Sequence, residues 1–126
     1  MKALLLIAHG SRREQANDEI HQLALYLGDN DQSDFDCVKH AFLEMGRPGI
    51  AESIDELIQG GAVEVVVLPY FLAMGAHVAR DIPEIIDQLR HQHPMVNLSI
   101  MPHIGSTEGM KRLLLMQIQQ ASFRKN

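Results

Sequence analysis

The chain reads as an α/β domain built on a four-stranded parallel sheet of order 2-1-3-4, with helices on both faces. Three observations lead there. Four short apolar runs alternate with four segments whose apolar residues recur at helical spacing. The first and third runs are nearly continuous in Leu, Ile and Val, the pattern of strands buried on both faces of a parallel sheet. Turn formers punctuate the segments, and no linker, low-complexity tract or charge block interrupts them. The length of 126 residues suits one domain, 1–126.

The elements follow in order. Residues 3–8 form the first strand. Ala16, Ile20, Leu23, Ala24 and Leu27 then share a helical face, ended by Gly28 and Asp29-Asn30-Asp31. Residues 37–43 form the second strand, and Ile50, Ile54, Leu57 and Ile58 mark a second helix closed by Gly60-Gly61. Residues 63–69 are the third strand. Ile82, Ile85, Ile86 and Leu89 face one way on a third helix that stops before Pro94. Residues 96–101 complete the sheet, and beyond Gly105-Ser106 a fourth helix presents Met110, Leu113, Leu114 and Ile118. Right-handed crossovers place the helices on both faces. The chain reverses direction between the first and third strands, and ligands of open parallel sheets gather at the carboxyl ends of the strands beside such a reversal.

Composition narrows the function. Apolar residues make up 46% and charged residues 21%, an ordinary globular balance. The longest apolar runs, 4–8 and 65–68, fall far short of the ~20 residues of a membrane span. No signal peptide is readable, and a single cysteine, Cys37, fits a reducing compartment. The expectation is a soluble cytoplasmic protein with no membrane partner. A net charge of −5 argues against nucleic acid as a partner.

The strand ends deliver His9-Gly10-Ser11-Arg12-Arg13, then Phe42-Leu43-Glu44-Met45-Gly46-Arg47-Pro48. The third and fourth deliver Tyr70-Phe71-Leu72-Ala73-Met74-Gly75-Ala76-His77 and Pro102-His103-Ile104-Gly105. Three of the seven histidines therefore lie on the ligand-binding rim, with Glu44 and with Arg12, Arg13, Arg47 and Arg80 in or beside it. Imidazole is a common transition-metal ligand and titrates near neutral pH. Two imidazoles with open positions suit a transient or catalytic metal, whereas a structural zinc site closes all four. Each rim residue also has a plain structural reading. A lone histidine after a strand is usually hydrogen-bonded structure, Ser11 serves as a helix cap, and Gly10 and Gly75 serve tight turns or close ligand approach. Phe71, Leu72, Met74 and Met45 make either core or an apolar wall for a flat ligand. His91 and His93 look like a solvated helix end, Cys37 like a small buried residue, and His21 and His40 carry no chemical signal. The G-x-S-x-G elbow and both glycine-rich phosphate fingerprints are missing.

The blocks His9-Gly10-Ser11-Arg12, Phe42-Leu43-Glu44 and Pro102-His103-Ile104-Gly105 resemble the short-form CbiX-type sirohydrochlorin chelatases. So does the long block from Pro69 to Pro83, which reads P-Y-F-L-A-M-G-A-H-V-A-R-D-I-P. The match runs in order over nearly the whole chain, and the long block is its specific part. The resemblance implies a chelatase-like (flavodoxin-like) domain, one half of a two-domain architecture, pairing as a homodimer around the substrate. It implies insertion of a divalent metal (Co²⁺ or Fe²⁺, with Ni²⁺ a further candidate) into sirohydrochlorin on the way to cobalamin or sirohaem. The metal is then a substrate, and no tightly bound cofactor is expected. His9 and His77 become the metal-binding and proton-accepting pair, and Glu44 assists. Ser11, Arg12, Arg47, Phe71, Leu72, Ala73, Met74, Gly75, Ala76 and Arg80 contact the macrocycle. Arg47 departs from an often acidic position, and the histidine-rich tract of some short forms is reduced to His91 and His93.

The chemistry suits those residue types. Metal insertion removes two pyrrole N–H protons, which histidines can accept, and few ligands hold a metal loosely enough to release it. Sirohydrochlorin is a polycarboxylate, so the arginines must outweigh the net repulsion between two anions within a Debye length, ~8 Å. Two other classes compete: a non-catalytic tetrapyrrole- or metal-binding carrier, and a flavodoxin-like nucleotide or phospho-relay module.

Overall fold

The computed structural model describes residues 1–30 and 34–124. The elements are β1 (Lys2–Ala8), α1 (Glu14–Asn30), β2 (Cys37–Phe42), α2 (Ile50–Gln59), β3 (Glu64–Pro69), α3 (Ala76–Gln92), β4 (Asn97–Ile100) and α4 (Glu108–Arg124). A short 3-10 turn, Ile104–Ser106, precedes α4. All strand pairs are parallel and the order is β2-β1-β3-β4, as the sequence predicts. Among the described residues no helix is long and apolar enough to cross a membrane.

The strands shift by single residues at their ends, and two helix boundaries differ for local reasons. α1 runs through Gly28 to Asn30: Gly28 does not take the left-handed conformation that ends a helix, and a Cβ on it would lie 3.7 Å from Val38, ordinary packing distance. Asp31, the end of the expected stop, lies outside the described residues. α3 begins at Ala76, well before its first buried isoleucine, and continues through Pro83. Proline removes one helical hydrogen bond there, and the buried Ile82, Ile86 and Leu89 hold the helix on the sheet regardless.

The main core lies between the sheet and α2 with α3. Ala3, Leu5, Ile7, Ala41, Val65, Val67 and Leu98 meet Ile50, Ile54, Leu57, Ile82, Ile86 and Leu89 there. These strand residues alternate along each strand, as the two-residue period requires. On the opposite face α1 lies over β2, with Ala24 buried. The expectation that β3 is buried on both faces fails: Val65, Val67 and Pro69 are buried, but Glu64, Val66 and Leu68 are only half-buried. The cause is α4, which does not return to cover that half of the sheet. Its contacts are chiefly with the 3-10 turn before it.

Two histidines without a sequence signal meet under α1. His21 Nδ1 and His40 Nδ1 lie 3.4 Å apart, with ring centroids at 4.8 Å, and the His40 ring stands edge-on to Phe42. One ring donates and the other accepts, so a second proton would set two N–H groups against each other. Burial, then His21 and Lys39, lowers the His40 pKa below its ordinary 6.5. His93 is also more than a solvated helix end. It caps α3 and its Nε2 lies 2.9 Å from Asp55 Oδ1 on α2, because α2 and α3 pack side by side.

Two outcomes are expected. Ile86→Ala, at a fully buried site in the main core, lowers unfolding free energy by about 2–5 kcal/mol in urea titrations. His40 binds its proton more weakly folded than unfolded, so its contribution is present above pH 6.5 and is lost as pH falls through the folded pKa. His40→Asn therefore flattens the fall of the urea midpoint between about pH 7.5 and pH 5.

Candidate functional site

The carboxyl ends of β1 and β2 stay paired beyond the strands. Leu43 N donates to Ala8 O at 2.9 Å and Glu44 N to His9 O at 3.0 Å. Gly10 turns out of β1 with φ +99°, and a Cβ placed on it would lie 1.7 Å from the Glu44 carbonyl oxygen. Only glycine permits this turn and this approach. The result brings His9 Nε2 to 3.7 Å from Glu44 Oε1, both side chains about half exposed. His9 Nδ1 lies 3.3 Å from Gly10 O. A carbonyl can only accept, so Nδ1 carries hydrogen in that contact, and in the neutral ring the Nε2 lone pair is left on the side of Glu44.

Asn17 ties the first two loops together, a role no sequence signal announced. Its Oδ1 accepts from Ser11 N at 2.9 Å, and its Nδ2 donates to Ser11 O at 2.8 Å and Met45 O at 3.2 Å. Met45 takes a positive φ of 54°, and Gly46 packs where a Cβ would meet Asn17 and the Phe42 ring at 2.9 Å. Ser11 Oγ accepts from Arg13 N at 3.1 Å, a local turn ahead of α1. Ser11, Arg12 and Arg47 line one groove with Asn17, but Glu14 and Asp18 line it too. Its charge is therefore mixed rather than uniformly positive.

His77 occupies the first turn of α3, at the end of β3, the neighbour of β1. Its Nε2 lies 3.0 Å from Asp81 Oδ2, one helical turn on, and Arg80 Nε lies 3.9 Å from Asp81 Oδ1. Two of the three rim histidines thus form separate pairs, His9 with Glu44 and His77 with Asp81. Among the described residues no group of three or more metal-ligating side chains gathers. Asp81 was legible in principle, since residues four apart share a helix face. His103 caps the 3-10 turn, and its carbonyl accepts from Ser106 Oγ at 2.7 Å.

The 71–76 segment divides in two. Phe71 and Met74 pack against the main core, while Leu72, 72% exposed, stands out with Tyr70 and Met45. The half-buried and the exposed residues together make an apolar border to the rim. Ala73 and Ala76 are exposed beside them. Gly105 N donates to Phe71 O at 2.9 Å, and a Cβ on Gly105 would lie 1.6 Å from Leu72 O, so the last two loops are pressed together. Gly75 precedes α3 with φ −68°, and a Cβ on it would meet nothing within 4 Å. The turn therefore does not require glycine there.

Comparison with known proteins identifies the family. The CbiX family model matches residues 3–121. The sirohydrochlorin cobaltochelatase of Methanopyrus kandleri is 34% identical over 86 residues, 68% of this chain and 59% of that protein. The Sulfurisphaera tokodaii sirohydrochlorin cobaltochelatase is 29% identical over 95% of this chain and 93% of its own length. Sirohydrochlorin chelatase SirB from Bacillus subtilis subspecies spizizenii, solved in complex with cobalt, superposes with a TM-score of 0.78 at 26% identity. That alignment covers 94% of this chain and 50% of SirB, so this chain spans half of it. With the family model matching almost the whole chain and the sheet order in agreement, the chain belongs to the CbiX family.

Proposed function

We infer that this chain is a sirohydrochlorin metal chelatase, inserting Co²⁺ or Fe²⁺, with Ni²⁺ a further candidate metal, in cobalamin or sirohaem biosynthesis. It acts in the cytoplasm, as a homodimer and without a tightly bound cofactor. The observation that carries this reading is the pair of histidine–carboxylate couples at the ends of adjacent strands. The names of the relatives support the reaction class.

The chemistry needs two protons removed for one divalent ion delivered. In the proposed reaction the free-base macrocycle gives up two pyrrole N–H protons, and its nitrogens take the metal as those protons leave. Each histidine–carboxylate couple accepts one proton: the imidazole takes it, and the carboxylate beside it stabilises the imidazolium. His9 presents its Nε2 lone pair on the side of Glu44, which suits brief coordination of the incoming ion. His77 and Asp81 form the second couple, with Asp81 positioning the ring. Couples of this kind, rather than a closed four-ligand cage, hold a divalent ion weakly enough to pass it on. Leu72 and Tyr70, with Phe71, Ala73, Met74 and Ala76 around them, offer an apolar border to the macrocycle, and its face approaches closely over Gly75. Ser11, Arg12, Arg47 and Arg80 receive peripheral carboxylates.

An anaerobic absorbance time course with sirohydrochlorin and each metal tests the reading. Catalytic loss of the free-base spectrum is expected for the wild type. A spectral change that stops at one equivalent would instead make the protein a carrier. His9→Ala and His77→Ala should each lower turnover by about 100-fold or more, the order of a general base's contribution, with unchanged circular dichroism. Glu44→Gln, which keeps the shape but not the charge, should slow the reaction less. Titrations of sirohydrochlorin at rising ionic strength should show weaker binding, because the arginine contacts are screened.

A further inference from the structure

Five of the seven histidines stand on the rim or at the end of α3, and the other two, His21 and His40, belong to neither place. The fold nevertheless brings these two together. His21 lies on the exposed side of α1 and His40, half-buried, on β2, over which α1 packs. Their rings meet nitrogen to nitrogen: Nδ1 is 3.4 Å from Nδ1, whereas the ring centroids are 4.8 Å apart and the planes are inclined by 58°. The fully buried Phe42 holds the His40 ring edge-on, with centroids at 5.4 Å. Among the described residues each imidazole makes its only hydrogen bond to the other.

A nitrogen–nitrogen separation of 3.4 Å is long for a hydrogen bond. It matches a different geometry. With metal–nitrogen bonds of about 2.0–2.1 Å, two imidazole nitrogens on a tetrahedral ion lie about 3.3–3.4 Å apart. The rings also come from a helix and a strand that the core already fixes, so an ion would find its first two ligands in place. The groove beside the pair carries Asp18, one helical turn before His21 and on the same side of α1, and Glu14. It continues past them to Arg12 and Arg47 at the rim. Lys39, next to His40 along β2, projects to the opposite face of the strand.

We propose that His21 and His40 form a second metal site, binding a late first-row divalent ion such as Zn²⁺ or Ni²⁺ through both Nδ1 atoms, with solvent at the remaining positions. Imidazole nitrogen suits these ions. In the free pair one Nδ1 carries a hydrogen, which moves to Nε2 of the same ring as the ion binds, so two neutral imidazoles coordinate and no proton is released. The site is separate from the rim. His40 is level with Leu6 on β1, three residues short of His9, a distance of about 10 Å along the strands. One ion therefore cannot be shared between His40 and His9, and the inference goes beyond the proposed chelatase reaction without resting on it.

Nitrogen NMR of the imidazole rings tests it, with Zn²⁺ added to the full-length chain and no sirohydrochlorin present. The Nδ1 resonances of His21 and His40 are expected to shift together, at lower Zn²⁺ than those of the exposed His91. His21→Ala, on the helix surface, should weaken binding at His40 at least tenfold with unchanged circular dichroism. His9→Ala with His77→Ala should leave the midpoint at the pair unaltered. Resonances of the pair that move no earlier than those of His91 would overturn the site. So would a His40 response that survives His21→Ala, which is what single-imidazole binding gives, or one that disappears with the rim variant, which would mean that the pair only senses an ion at the rim. Turnover of sirohydrochlorin is a separate measurement, so failure of the chelatase reading leaves this result standing.

Discussion

The close approach of Gly10 to the Glu44 carbonyl governs the functional end of this protein. Hydrogen bonding between β1 and β2 continues past the strand ends through Ala8 and His9, and it can do so only while residue 10 has no side chain. That continuation sets His9 against Glu44, and it places the second loop where Asn17 can bridge Ser11 and Met45. A Cβ at residue 10 would push the two loops apart and separate the couple. The site is therefore built on backbone pairing that continues past the strands at the rim of the sheet.

For the polycarboxylate substrate proposed above, a protein with net charge −5 has to keep its own carboxylates in useful places. Two of them, Glu44 and Asp81, are set against histidines, at 3.7 and 3.0 Å. Arg12 and Arg47 share their groove with Glu14 and Asp18, so attraction there is local and depends on where ligand carboxylates fall. The apolar border of Tyr70 and Leu72 offers the complementary contact for a flat ring. Charge and apolar surface thus occupy different sectors of one rim.

The two faces of the sheet are covered unequally. The face under α2 and α3 is closed within the chain, and its core is continuous from β2 to β4. The other face is closed over β2 by α1 and left open over β3 and β4. An open half-face and an exposed apolar helix in one chain are two aspects of a single topological fact, the direction in which the turn at Gly105 sends α4.

Much of this was legible in the residues themselves. Period-two and helical spacings revealed the eight main elements, because burial on a sheet or a helix face writes itself into the alternation of apolar residues. The strand order was the most economical arrangement for four parallel strands, and the rim residues followed from the carboxyl ends of the strands. Glycine's meaning was only half legible. Residues 10 and 75 look alike in sequence, yet the first is demanded by a carbonyl from another strand and the second by nothing in the chain. Asn17, the His21–His40 pair and the His93–Asp55 contact join residues that are 6 to 38 positions apart, distances at which no local periodicity operates. The apolar stripe of α4 was visible as a face needing cover. That the cover is missing from its own chain depends on a turn fixed by long-range hydrogen bonds, and only the tertiary structure decides such a direction.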